Sequence, residues 1–171
     1  PWAGKVAAIV QGWYLGSEAG TSLAAVLMGD VNPSGKLPFT FPARLEDVPA
    51  HSLGQYSAVR SKDVTKIRYN EGIFVGYRWT DRQKKVQPLF SFGHGLSYTT
   101  FEYGKPVADK REMKAGEQIT VTVPVKNTGN REGKEVVQLY IRDKKSTVER
   151  PVKELKGFCK VSLKPGEEKE V

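Results

Sequence analysis

The sequence has a single cysteine, Cys159, which excludes an internal disulfide and any multi-cysteine metal site. Histidine is nearly as scarce, and His51 and His94, isolated from each other in sequence, do not make a metal site. No apolar run approaches the roughly 18 residues that would suggest a membrane-spanning helix; the longest quiet stretch is Val6 to Val10. The opening PWAGKVAAIV lacks the basic flank, apolar segment and small-residue cleavage site of a secretory leader, and it does not begin with Met. Lys and Arg number 27 against 19 Asp and Glu, a net charge of +8. That excess is scattered, in pairs such as those at Lys84 and Lys144, rather than gathered into a stripe, so it reads as a solvated basic surface and not a nucleic-acid site. What is present is an ordinary globular composition, 39% hydrophobic and 27% charged.

Three sections differ in texture. In the first, residues 1–43, VAAIV is a short continuous apolar run suited to a strand covered on both faces, as in a parallel sheet. After the loop QGWYLG, Ala19, Leu23, Val26 and Leu27 fall at helical spacing. Ser17 is the expected N-cap, Glu18 suits the positive end of the helix dipole, and Gly29 is the expected terminator. KLPFTFP then reads as a final strand that lies at an edge or leaves the sheet quickly, because Pro38 and Pro42 cannot donate to a ladder. Two strands and one helix cannot bury a core, so this section reads as the tail of a larger α/β domain. The second section, residues 44–100, has little periodicity and many turn residues, and a loop that long is either functional or wraps along another surface. Nine aromatics fall between Tyr69 and Tyr103: Tyr69, Phe74, Tyr77, Trp79, Phe90, Phe92, Tyr98, Phe101 and Tyr103. Such rings stack on sugars, but their commoner use is packing between domains.

The third section, residues 101–171, alternates with period two. Ile119, Val121, Val123 and Val125 point one way while Thr120, Thr122, Pro124 and Lys126 point the other. NTGNREG supplies a turn, and EVVQLYIR places Val137, Leu139 and Ile141 on one face. ELKGFCKVSL is a further strand, KPGE a turn, and EKEV the start of another. Short strands separated by turn signals predict an antiparallel β-sandwich, incomplete at its C-terminal end. The chain thus reads as cut at both ends.

The ordered series GWYLGSEAGTSLAAVLMGDVNPSGKLPFTFP, NEGIFVGYRWTD, PLFSFGHGLSYTTFEY, VKNTGNREGKEVVQLYI and RPVKELKGFCKVSLKPGE resembles the C-terminal part of glycoside hydrolase family 3, the β-glucosidase and β-xylosidase family. The resemblance runs along essentially the whole chain. It implies an α/β sandwich domain closed by NPSGKLPFTFP, a linker, and a fibronectin type III-like β-sandwich. It also implies a parent that is a retaining, exo-acting β-glycosidase, a β-glucosidase foremost, which takes terminal non-reducing β-linked sugars. No cofactor or metal is expected, and the partners implied are a β-linked saccharide or glycoside and the rest of the parent enzyme, with no nucleic acid and no membrane span. The location implied is periplasmic or secreted.

Retaining glycosidases need two carboxyl groups about 5 to 5.5 Å apart, one as nucleophile and one as acid/base. The resemblance implies that both precede Pro1, so no catalytic residue is assigned in this chain. Glu18, in the loop-to-helix turn of GSEAG, is the one carboxylate to weigh as a catalyst or as support beside the active-site pocket, because α/β sheets bind ligands at the C-terminal ends of their strands. Its plainer reading is stabilisation of a helix N-terminus. Asp30, Glu71 and Asp81 read as turn or interface residues. His94, between glycines in FGHGLSY, reads as structural where the linker meets the sandwich, and His51 as exposed in a polar loop. Cys159 shares parity with Leu155, Val161 and Leu163 and is expected to be buried, unless a bulge at Gly157 turns it outward.

Two readings from other classes compete with the glycosidase part: a carbohydrate- or surface-binding β-sandwich module without catalysis, and a cytosolic interaction protein built on an immunoglobulin-like sandwich. The second would leave the first hundred residues unexplained.

Overall fold

The computed structural model describes residues 2–56, 59–61, 64–83 and 85–171; Pro1 and Lys84 lie outside them. The chain forms a few helices and small antiparallel sheets. Helix α1, Ala19–Met28, is followed by the short helices α2, Pro49–Ser52, and α3, Tyr77–Arg82. Strands β1, Val59–Ser61, and β2, Val64–Lys66, form a hairpin. The remaining strands are β3, Phe101–Tyr103, β4, Val107–Ala108, β5, Val121–Thr122, β6, Pro124–Asn127, β7, Gly133–Ile141, β8, Glu154–Leu163, and β9, Glu168–Glu170. They pair as β3-β6-β9, β4-β5 and β7-β8, all antiparallel. Among the described residues no helix is long and apolar enough to cross a membrane.

Helix α1 ends as expected. Gly29 takes φ 84°, a left-handed conformation open to glycine without steric penalty, and donates its N–H to the Val26 carbonyl at 3.1 Å. Its start differs from expectation, because the N-cap is Glu18 rather than Ser17, and Glu18 caps through its backbone carbonyl, which accepts from Ser22 at 2.9 Å, not through its side chain. VAAIV is not a strand: Val6, Ile9 and Val10 are exposed and unladdered. A parallel strand exists only by pairing with neighbours, and no parallel pairing occurs among the described residues. KLPFTFP likewise makes no full strand. Its backbone touches the middle section at two places: Leu37 exchanges hydrogen bonds with Gly93 and His94, and Phe41 with Phe90 in an isolated antiparallel bridge. Pro38 and Pro42, each next to one of these contacts, have no N–H to offer a neighbour on the other edge.

In the last section the turn signals and most strand positions agree with the alternating pattern. Val125 of β6 and Leu163 of β8 are fully buried. Leu139 and Ile141, expected on an apolar face, are exposed, since the opposite face, carrying Gln138 and Tyr140, meets the middle section. The β7-β8 ladder shifts register where Leu139 pairs with Gly157 and Tyr140 with Leu155, leaving Lys156 over. This bulge takes Leu155 out of phase with Cys159 but leaves Cys159 in phase with Val161 and Leu163; Cys159 pairs with Val137 and is exposed rather than buried, because the covered part of this face ends before it. A thiol reagent is therefore expected to label Cys159 in the folded chain nearly as fast as in urea; protection of tenfold or more would contradict that placement.

Candidate functional site

The three sections meet at a polar junction. Asn32 Oδ1 accepts from the Ser97 hydroxyl at 2.9 Å and the Tyr98 N–H at 2.8 Å, while its Nδ2 donates to the Glu132 carbonyl at 2.9 Å. One side chain thus ties the turn after α1 to the middle section and to the strand entry at β7. Lys36 Nζ donates to the Gly95 carbonyl at 2.7 Å and lies 3.1 Å from Glu135, both side chains being largely buried. Glu135 in turn accepts from the Tyr103 hydroxyl at 3.0 Å. Burial, reinforced by the charge of Glu135 and the bond to it, pushes the Tyr103 phenol well above its ordinary value of 10.0. A raised value means that the folded state holds this proton more tightly, so the associated stability is present below pH 10 and fades as the pH rises above it. Tyr103→Phe is expected to lose about 1 kcal/mol at pH 8 and to flatten the alkaline fall in Tm; an unchanged alkaline slope would remove Tyr103 from this role.

Aromatic rings continue the junction. Trp13, Phe39, Phe41 and Phe90 follow one another with centroid separations of 5.4, 4.7 and 6.3 Å, and His94 stacks on Phe90 at 5.3 Å. Beside them, Tyr77 contacts Phe92 at 4.8 Å and Tyr140 at 6.0 Å. A cleft of about 280 Å³ opens here, lined among others by Thr40, Tyr77, Asp81, Phe92, Tyr140 and Lys153. The Tyr77 hydroxyl accepts from the Leu155 N–H at 2.8 Å, and the Tyr140 hydroxyl donates to Gln138 at 2.6 Å, which fixes both rings. Burial, then the neighbouring Tyr77 and Asp81, raise the Tyr140 phenol, so it stays neutral in ordinary buffers. Lys153 Nζ lies 3.6 Å from Asp81 Oδ2, an ion pair beyond hydrogen-bond length, and 5.2 Å from the Tyr140 ring centre. Thr40 Oγ1 and Asp81 Oδ2 are buried and make no hydrogen bond among the described residues.

Glu18 lies elsewhere: it is exposed, makes no side-chain hydrogen bond or ion pair among the described residues, and does not line this cleft. Asp30 is exposed after α1, Glu71 is half-buried in the turn before Phe74, and Asp81 faces Lys153. His51 is not exposed as expected; Pro49 opens the one-turn helix α2, which lays the imidazole on Tyr56 at 3.8 Å with its Nε2 buried. No group of three or more His, Cys, Asp or Glu able to hold a metal occurs among the described residues. The cleft was missed in sequence because its residues are spread from Thr40 to Lys153, and only the aromatic density around Tyr77 hinted at it.

Residues 1–77 match the glycosyl hydrolase family 3 C-terminal domain, and residues 135–171 match the fibronectin type III-like domain. The whole chain is 57% identical to Beta-glucosidase BoGH3A of Bacteroides ovatus and 50% identical to Thermostable beta-glucosidase B of Acetivibrio thermocellus, covering 22% of each. Among solved structures it superimposes over its full length on the beta-glucosidase of Kluyveromyces marxianus in complex with glucose, with a TM-score of 0.86, 44% identity and 19% of that chain covered. It does so equally on DesR, a beta-glucosidase from Streptomyces venezuelae in complex with D-glucose, with a TM-score of 0.87, 42% identity and 21% covered. The chain thus spans about a fifth of the length of the relatives it matches. On these matches the chain belongs to glycoside hydrolase family 3, as part of its C-terminal region with a fibronectin type III-like segment.

Proposed function

We propose that the protein carrying this chain is a retaining, exo-acting β-glucosidase that releases terminal non-reducing sugars from β-linked saccharides, and that this chain is its supporting C-terminal part. The observation that carries the reading is 57% identity to a beta-glucosidase sustained over all 171 residues. Both catalytic carboxylates lie outside the chain in this reading; Glu18, exposed and without a side-chain partner among the described residues, serves the helix terminus and at most supports the pocket. Residues 1–43 complete an α/β sandwich, 44–100 form the wrapping linker, and 101–171 a fibronectin type III-like β-sandwich. The Asn32 and Lys36 bonds favour bracing as the role of that last part, since both tie it to the first section. The location proposed is periplasmic or secreted.

The test compares hydrolysis of aryl β-glucosides by the full-length protein and by the purified 171-residue chain. Turnover by the full-length protein, with release from the chain no greater than from buffer, is the expected outcome. Turnover by the chain alone, abolished in Glu18→Gln, would place the chemistry here instead.

A further inference from the structure

We propose that the cleft between α3, Phe92 and the β7-β8 ribbon is a saccharide subsite that holds one neutral sugar ring. Its walls come from all three sections: Thr40 from the first, Tyr77, Asp81 and Phe92 from the middle, Tyr140 and Lys153 from the last. A volume of about 280 Å³ lies at the small end of the range for ligand pockets, roughly 300 Å³ upward, which suits a single ring rather than a chain.

The lining chemistry selects the occupant. The rings of Tyr77, Phe92 and Tyr140 offer an apolar platform for the C–H face of a sugar, and Tyr77 and Tyr140 are held in place by bonds from their hydroxyls. Asp81 and Lys153 carry opposite charges 3.6 Å apart, so their charges offset one another and the cleft favours a neutral ligand over an anion or a cation. The buried Thr40 Oγ1 lacks a hydrogen-bond partner among the described residues, and the buried Asp81 Oδ2 makes no hydrogen bond there beyond its 3.6 Å ion pair with Lys153. Buried oxygens of this kind are destabilising until satisfied, and adjacent sugar hydroxyls would donate to the carboxylate and exchange a hydrogen bond with the threonine. Asp81 and Lys153 together can bind neighbouring hydroxyls from opposite sides, one accepting and one donating.

The choice of D-glucose as probe rests on the β-glucosidase reading above. The experiment uses the full-length protein, first treated with a 2-deoxy-2-fluoroglucosyl fluoride, which leaves its glycosyl group on the nucleophilic carboxylate of a retaining enzyme as fluoride departs. A mass gain of one glycosyl unit reports that reading by itself. D-Glucose is then titrated into the blocked protein by calorimetry. One glucose bound per chain is expected, weakened about tenfold by Asp81→Asn and by Lys153→Met, and unchanged by Lys169→Met outside the cleft. Absence of glucose binding by the blocked protein, or an affinity in both cleft variants equal to that of the unsubstituted protein, overturns the subsite. If no mass gain occurs, the β-glucosidase reading falls, while the response of glucose binding to Asp81→Asn and Lys153→Met still decides the subsite.

Discussion

Asn127→Ala is expected to destabilise the protein by on the order of 3–5 kcal/mol, read as a lowered midpoint in urea denaturation. Asn127 is fully buried at the end of β6 and uses both ends of its amide. Its Oδ1 accepts from the Thr99 hydroxyl at 2.7 Å and the Gly129 N–H at 3.1 Å; its Nδ2 donates to the carbonyls of Arg131 at 2.7 Å and Leu163 at 3.0 Å. Alanine removes the partner of all four groups at once, in a region with little room for water. The isosteric Asn127→Asp is expected to be no milder, because it keeps the two acceptor bonds while facing a buried carboxylate oxygen toward two carbonyls. A loss below about 1 kcal/mol for both variants would mean that the turn relaxes to admit solvent and that the four Asn127 bonds do not hold it together.

Gly95→Ala is expected to cost about 2–3 kcal/mol and to open the seam between the first and middle sections. A Cβ at this position would overlap the carbonyl oxygen of Gly35 and approach the Lys36 side chain to 3.0 Å. Backbone cannot yield there cheaply: the Leu37 N–H to His94 bond, the Gly93 N–H to Leu37 bond and the Lys36 bond to the Gly95 carbonyl all lie within two residues of the clash. Hydrogen exchange should show lost protection at the Leu37 and Gly93 amides. Gly166→Ala is the fitting control. Its site is open, and only its φ of 75° opposes a side chain, so a loss of about 1 kcal/mol without seam opening is expected. Equal protection loss in the two variants would show that steric overlap at Gly95 is not the cause.

Local pattern carried far in this chain. The helical spacing before Gly29, the alternation around Val125, and the turns at NTGNREG and KPGE are short-range effects of backbone geometry and side-chain shape, and they recur in α1, β6, β7, β8 and β9. The quoted motifs likewise sufficed for the family. What failed were expectations that depended on a distant partner. VAAIV has the composition of a buried strand but no neighbour to pair with among the described residues, and the helix face at Leu27 and Met28 is apolar yet exposed. Cys159 stays in phase with Val161 and Leu163, since the register shift at Lys156 lies beyond it, yet it is exposed: which length of the ribbon is covered is a tertiary choice that spacing alone leaves open.

The cleft is the strongest case of the division. Nothing in the neighbourhood of Thr40, Asp81, Tyr140 or Lys153 marks any of them singly, since each is an ordinary residue in its own segment. By itself, the sequence determined helix α1, the strands β6 to β9, the turns between them and the kinship, because these depend on neighbours a few residues apart or on extended motif order. Only tertiary structure decided which face of β7 is covered, where Lys36 meets Glu135, and that Thr40 and the Asp81–Lys153 pair share one aromatic cleft. Those outcomes depend on burial and on long-range hydrogen bonds, whose energies are realised only when segments a hundred residues apart come into contact.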